Sequence, residues 1–193
     1  MANKIRYGLK NVKYAVLSGN AYGTPVAWPG AVSLSLSREG GDSSDFYADD
    51  GVYYTFGGTN GGYSGDLEMA YMPDEIRVAL LGEKADATTK VQYEVTSSEA
   101  PEFALICEMQ GDSGPIGFVF YGCKASRPEL QANTKGESPS VDTSTLNIRI
   151  GGHDFTMAGS TEHVIQGHIE KTSQNATEYA AFFSTVSVPT ATA

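Results

Sequence analysis

The sequence is short of positive charge, of cysteine and of histidine, and the charges it has are sorted along the chain. Residues 1–38 hold no acidic side chain and residues 39–76 no basic one, so five bases (Lys4, Arg6, Lys10, Lys13, Arg38) precede nine acids. With 13 Lys and Arg against 23 Asp and Glu, the net charge of −10 argues against a nucleic-acid binder, whose affinity comes from cations displacing counterions on phosphates. The sorting would let the basic segment of one copy face the acidic segment of another. A solvated surface of mixed sign has the same appearance in sequence.

Two cysteines, Cys107 and Cys123, lie inside apolar runs and are expected to be buried, reduced hydrophobes. The N-terminus lacks an apolar segment long enough for a signal peptide or a membrane span, which gives the expectation of folding in a cytoplasm. The sequon Asn175-Ala176-Thr177 is then a coincidence. The charged fraction of 19%, beside 22 glycines and 11 tyrosines, is too low for a helical bundle, so composition leans toward β. A chain of 193 residues, 40% hydrophobic, fits one domain over 1–193 with a sizeable core.

Period-2 patterns are plentiful. In "AVSLSLS", Val32, Leu34 and Leu36 alternate with Ser33, Ser35 and Ser37, and "TLNIRIG" places Leu146, Ile148 and Ile150 on one face. "KIRYGLKNVKYAVL" (4–17) alternates with interruptions, as an opening strand or hairpin would, and "VQYEV" (91–95) reads as a further strand. "EFALICEM" (102–109) and "PIGFVFYGC" (115–123) are apolar on both faces, and the turn formers Gly111 to Gly114 between them predict a hairpin through the core. No internal repeat is present.

One short helix is expected at about 73–81. Pro73 suits its first position, Asp74 and Glu75 its positive end, and Gly82 a left-handed stop. Ile76, Val78, Ala79, Leu80 and Leu81 make it apolar on most sides, so packing on a sheet must hold it. "ATEYAAFFSTV" near the C-terminus fits a second helix or a closing strand. Two segments resist assignment: 39–64, rich in acids, Gly and Tyr, and the polar excursion 124–142. The aromatic residues Phe46, Tyr47, Tyr53, Tyr54 and Phe56 favour ordering of 39–64 against a partner.

Reactive groups do not converge in the sequence. His163 and His168 are five apart, which suits neither a helix face nor a strand face for zinc, and His153 stands separately. There is no Gly-x-Ser-x-Gly, and only Lys124 supplies positive charge beside a cysteine. Asp42, Asp45, Asp49 and Asp50 stand at offsets of three, seven and eight, not the alternate spacing of a calcium loop. Gly57-Gly58 and Gly61-Gly62 do not open a helix, so no phosphate cradle follows, and paired carboxylates for glycoside hydrolysis are not legible from spacing. The expectation is a protein that is not an enzyme and takes no cofactor or metal.

The order of segments carries a resemblance. Gly62-Tyr63-Ser64-Gly65, Met72-Pro73-Asp74-Glu75-Ile76-Arg77, Leu81-Gly82, Cys123, Ser126-Arg127-Pro128, Thr134-Lys135 and Thr143-Ser144-Thr145-Leu146 follow one another as in the major tail proteins of siphophages. Over most of residues 4–150 the chain resembles the phi-thirteen branch of that family, and the last forty residues match loosely. The resemblance implies a mainly β fold: a two-sheet antiparallel sandwich or partial barrel with one short flanking helix, whose structural residues here would be Pro73, Ile76, Leu80 and Leu81. It implies a tail-tube subunit that forms stacked hexameric rings and a channel for genome passage. The long loop at about 39–64 would be the assembly element, through Asp45, Phe46, Tyr47, Asp49, Asp50, Tyr53, Tyr54 and Phe56. Partners implied by the family are further copies of itself, a tape measure protein, a tail terminator and a distal tail protein, with DNA passing the lumen without specific binding. No membrane is implied. Such a protein assembles in the bacterial cytoplasm and resides in the virion tail. The related tube protein of type VI secretion is one alternative, and a glycan-binding or hydrolytic β-sandwich is another.

Overall fold

The computed structural model describes residues 3–130, 132–134 and 141–190; Lys135 of the Thr134-Lys135 pair lies outside them, as does part of the 124–142 excursion. In chain order the first strands are β1 (Arg6–Ser18), β2 (Ala21–Tyr22), β3 (Val26–Ala27), β4 (Ala31–Glu39), β5 (Ser44–Ala48), β6 (Gly51–Phe56) and β7 (Gly62–Met69). Helix α1 (Asp74–Leu81) follows, then β8 (Lys84–Ala85), β9 (Gln92–Tyr93), β10 (Phe103–Gly111), β11 (Ile116–Ala125) and β12 (Ser144–Ile150). The chain closes with β13 (His153–Met157), β14 (Ser160–Val164), β15 (Gln166–Glu170) and α2 (Ala176–Phe182).

The fold is mainly β and antiparallel. A nine-stranded sheet runs β2-β1-β10-β11-β12-β7-β4, with β3 joined to β1 and β15 to β11, and β5–β6, β8–β9 and β13–β14 are separate hairpins. Its layers are therefore not two independent sheets but parts of one sheet that curls around a shared core. Leu67, Met69, Phe103, Leu105, Cys107, Phe118, Phe120, Leu146, Ile148 and Ile150 all point into that core.

The hinge of the curl is β11. Its first half pairs with β15 through Ile116–Phe120, and its end pairs with β12 through Cys123–Ala125. Between them lies a bulge: Phe103 and Leu105 of β10 are two residues apart, whereas their partners Cys123 and Phe120 are three apart. One extra residue reverses the alternation, so Phe118 and Phe120 before the bulge and Cys123 and Ala125 after it face the same core. Gly122 takes the left-handed φ of 62° that the bulge requires.

The expected core hairpin is β10–β11, and both of its faces are buried as its unbroken apolar runs predict. The inner face meets the barrel core. On the outer face, Ala104, Ile106, Val119 and Tyr121 pack against Tyr179, Phe182, Phe183 and Val186 of the C-terminal segment and Phe155 of β13. This second apolar face explains why "ATEYAAFFSTV" is helical: α2 supplies Tyr179 and Phe182 to the sheet from one side.

Helix α1 is where the sequence predicts one. Pro73 occupies its capping position rather than the first turn, with its carbonyl accepting from the Ile76 and Arg77 amides at 3.0 and 3.2 Å. Gly82 ends the helix at φ 72°. Ile76, Leu80 and Leu81 are buried in the barrel core, each stabilising by about 2 kcal/mol, while Val78 faces outward.

Three expectations need correction. Val32 is 50% exposed, because a register shift between Ala31 and Ser33 turns Ala31 instead toward the core ahead of Leu34 and Leu36. "VQYEV" contributes only Gln92–Tyr93, paired with Lys84–Ala85 outside the main sheet; its Val91 and Tyr93 are exposed and bury no face. Residues 39–64 are not an irregular loop. They comprise the ends of β4 and β7, which pair Glu39 with Gly62, and a projecting hairpin between them.

Candidate assembly surfaces

The projecting hairpin contains every residue that sequence marked for assembly. β5 and β6 turn at Asp49 and Asp50, both left-handed (φ 51° and 58°), between the paired Ala48 and Gly51, a two-residue turn whose twist suits a hairpin. Phe46 lies opposite Tyr54 and Ser44 opposite Phe56, which puts three rings on one face. Tyr53 is skipped by the register, and its ring meets Phe46 edge-on at 6.3 Å, while Tyr54 meets Phe56 at 4.9 Å. On the other face Thr55 donates to Asp45 at 2.6 Å, beside the Tyr47–Val52 pair.

All of these side chains are exposed: Tyr53 is 71% and Tyr47 65% accessible, and Phe46, Tyr54 and Phe56 exceed half. Neither apolar core includes them. A two-stranded ribbon with no core behind it is marginal in water, and clustered exposed aromatics mark an interaction surface. The hairpin's neck is nonetheless well defined. Gly41 donates to Thr59 Oγ1 at 2.8 Å, Thr59 donates back to the Gly41 carbonyl at 3.0 Å, and Gly61 donates to the Glu39 carbonyl at 2.8 Å. A Cβ on Gly40 would collide with the Thr59 carbonyl, so the glycines here permit two backbones to run in contact.

A second feature is a seam where β4 comes alongside β1 without a hydrogen-bonded ladder. The register of β1 against β10 slips between Tyr7 and Leu9 and again between Lys10 and Lys13, where Gly8 and Asn11 take φ of 67° and 52°. These slips are the interruptions visible in "KIRYGLKNVKYAVL". They open a cleft of about 190 Å³ lined by Arg6, Tyr7, Gly8, Leu9, Leu34 and Met109. Sequence reasoning missed this cleft.

The third is the outward face of β4, β7 and β12. Register aligns Ser33, Glu68 and Thr145 in one row, Ser35, Asp66 and Asn147 in the next, and Ser37, Ser64 and Arg149 in a third. Ser33 and Thr143 donate to Glu68 at 2.9 and 2.7 Å, and Asn147 donates to Asp66 at 3.1 Å. Arg149 is tied to Glu39 at 3.5 Å. The face is polar, short-chained and acidic.

The reactive groups stay apart. His163 contacts Asp154 at 2.7 Å and the Gly151 carbonyl at 2.7 Å, His153 lies 3.3 Å from Glu102, and His168 stacks on Phe118. The hydrogen bond to Asp154 and then that to Gly151 hold the His163 pKa above its ordinary value. Cys107 and Cys123 are buried and unbridged; burial pushes the Cys107 thiol up to about 12 and raises Cys123 as well, so neither is a thiolate at neutral pH. Among the described residues no three His, Cys, Asp or Glu side chains could hold a metal together, and no helix is long and apolar enough to cross a membrane. No protein-family model matches the chain, and no curated protein matches it either.

Proposed function

We propose that this chain is a structural subunit that assembles with copies of itself into rings and a tube, in the manner of the siphophage tail-tube proteins it resembles. The observation that carries the reading is the aromatic hairpin, whose Phe46, Tyr53, Tyr54 and Phe56 form an apolar surface that its own chain leaves in water. A heterologous contact made by such an arm closes into a ring when its rotation allows, and hexamers are the family's number. Sheet margins agree with this: β4 and β15 each have a ladder on one side only among the described residues, and neighbouring copies would cover them. In the tube, the polar face of β4, β7 and β12 is our choice for the channel wall, because Asp66 and Glu68 repel phosphate and, among the described residues, the cation within its rows, Arg149, is paired with Glu39.

The subunit would work without a cofactor. Its place would be the virion tail, and the tape measure, terminator and distal tail proteins would be its other partners. Electron microscopy of the purified protein at increasing concentration tests this: rings or filaments are expected, and a monomer that stays dispersed when concentrated overturns it. A type VI-like tube would give rings as well and belongs to the same mechanical class. A glycan-binding sandwich is favoured by one observation, the polar pocket lined by Asp66, Arg127, Glu129 and Asn147 among others. That reading expects a small fixed oligomer and sugar-dependent chemical-shift changes at those residues.

A further inference from the structure

We propose that the receptor for the aromatic hairpin is the β1–β4 seam of a neighbouring copy, with one ring of the hairpin seated in the cleft between Leu9, Leu34 and Met109. The inference rests on the tube reading and deepens it by naming the surface that the arm engages.

Size and polarity match first. An apolar cavity of about 150 Å³ accepts benzene, so a cleft of about 190 Å³ walled by Leu9, Leu34 and Met109 accepts one phenyl or phenol ring. Its surroundings are apolar too, since Ile5 and Tyr7 are more than half exposed beside it. Among the described residues, the hairpin's ring contacts join its own four rings to one another and to nothing else, so they are free to supply the occupant.

Charge then selects between surfaces. Asp42 is paired with Arg38 at 3.6 Å, which leaves Asp45, Asp49 and Asp50 as the charge that accompanies the aromatic residues, and residues 39–76 contain no base. At the start of β1 Lys4 and Arg6 are exposed; Arg6 borders both this cleft and a neighbouring one, where its guanidinium lies over the face of Phe118, 5.7 Å away. Lys10 is neutralised by Glu108 at 3.0 Å, and the Asp112 carboxylate held by the Lys4 and Ile5 amides offsets Lys4 in part, so Arg6 with the remainder of the Lys4 charge carries the attraction. Another exposed apolar patch, Val78 with Tyr93 near α1, mixes Asp74 and Glu75 with Lys84 and Lys90 and so offers the acidic arm no net attraction. The bulge at Gly8 also gains a purpose on this reading, because an unbroken β1 ladder would leave no cleft.

The test places the photocrosslinker benzoylphenylalanine at Phe46, Tyr53, Tyr54 or Phe56, mixes that protein with nitrogen-15-labelled wild type, and irradiates the assembled rings. Crosslinks to labelled peptides that contain residues 5–9, 34 or 109 are expected. Rings that crosslink elsewhere, for instance at residues 78–93, would overturn the docking proposal and leave the tube reading intact. A wild-type protein that never assembles would overturn both. As a second arm, Lys4→Glu/Arg6→Glu is expected to raise the concentration for half-assembly by about tenfold or more, and Asp45→Lys/Asp49→Lys in the same chain to restore it. Reversals without effect, or without mutual rescue, count against it, and both variants must keep the wild-type circular dichroism.

Discussion

The α-carbon of Gly122 stands so close to Gly152 that a methyl group on the former would strike the carbonyl oxygen of the latter. Two constraints meet at this one position: the left-handed φ of 62° and the contact between β11 and the turn after β12. Gly122→Ala is therefore expected to cost more than backbone strain alone, about 3 kcal/mol or more. Gly19→Ala is the control, since Gly19 has φ 64° but nothing near a new Cβ, and it should cost about 1 kcal/mol. Urea titration of both variants measures the difference; equal costs would mean that the bulge yields.

That bulge also shows where sequence reading stops. The apolar runs of β10 and β11 and the turn between them were legible because burial on both faces needs unbroken hydrophobicity. Helix α1 was legible from Pro73, its first-turn acids and Gly82. A lone glycine inside "FVFYGCKA" does not announce that the alternation reverses there, nor that β11 changes partners. Hairpin β5–β6 was half hidden for a related reason: Tyr53 is an extra residue that breaks the alternation of "GVYYTF", and Asp49-Asp50 is a weaker turn signal than Asn-Gly. The seam cleft joins Arg6–Leu9, Leu34 and Met109, three places far apart in the chain that only the curl of the sheet brings together.

His163 gives the β13–β14 hairpin a pH dependence. Its pKa is raised in the folded chain, chiefly by the hydrogen bond to Asp154, so the charged form is favoured on folding. The resulting stability is complete below the ordinary value of 6.5 and is lost as pH rises through the raised one. Hydrogen exchange of the Phe155 and Glu162 amides should therefore be slower at pH 5.5 than an intrinsic-rate correction predicts from pH 8. His163→Gln should abolish the excess, and an unchanged pH profile in that variant would assign the effect elsewhere. The ion pair is solvent-exposed, so the effect should be small.

If Asp66 and Glu68 line the channel, Asp66→Lys/Glu68→Lys should leave assembly intact, because Asp66 is exposed, Glu68 is half-buried at the surface, and among the described residues their side chains bond to Ser33, Thr143 and Asn147 of the same polar face. The lumen would then attract phosphate. Short duplex DNA incubated with variant tubes at about 50 mM salt should sediment with them in a nuclease-protected form and be released at about 200 mM. Wild-type tubes should leave it in the supernatant. DNA that binds but stays sensitive to nuclease would put these residues on the outside of the tube.

Removing the arm separates folding from assembly more directly than any substitution within it. Gly41 and Thr59 are already a hydrogen-bonded pair across the neck, and Gly58 approaches the Gly41 carbonyl. Deleting residues 43–57 joins Asp42 to Gly58 between that pair, and Asp-Gly is a favoured two-residue hairpin turn. The shortened chain should therefore keep β4 paired to β7 and lose none of the buried residues of either core. Its urea midpoint should stay within the error of the wild type, and it should be more soluble for want of the exposed rings. It should also remain monomeric at concentrations where the full chain forms rings, as read by sedimentation velocity. A deletion variant that still builds rings would move the assembly contact from the hairpin to the open margins of β4 and β15, which the deletion leaves in place.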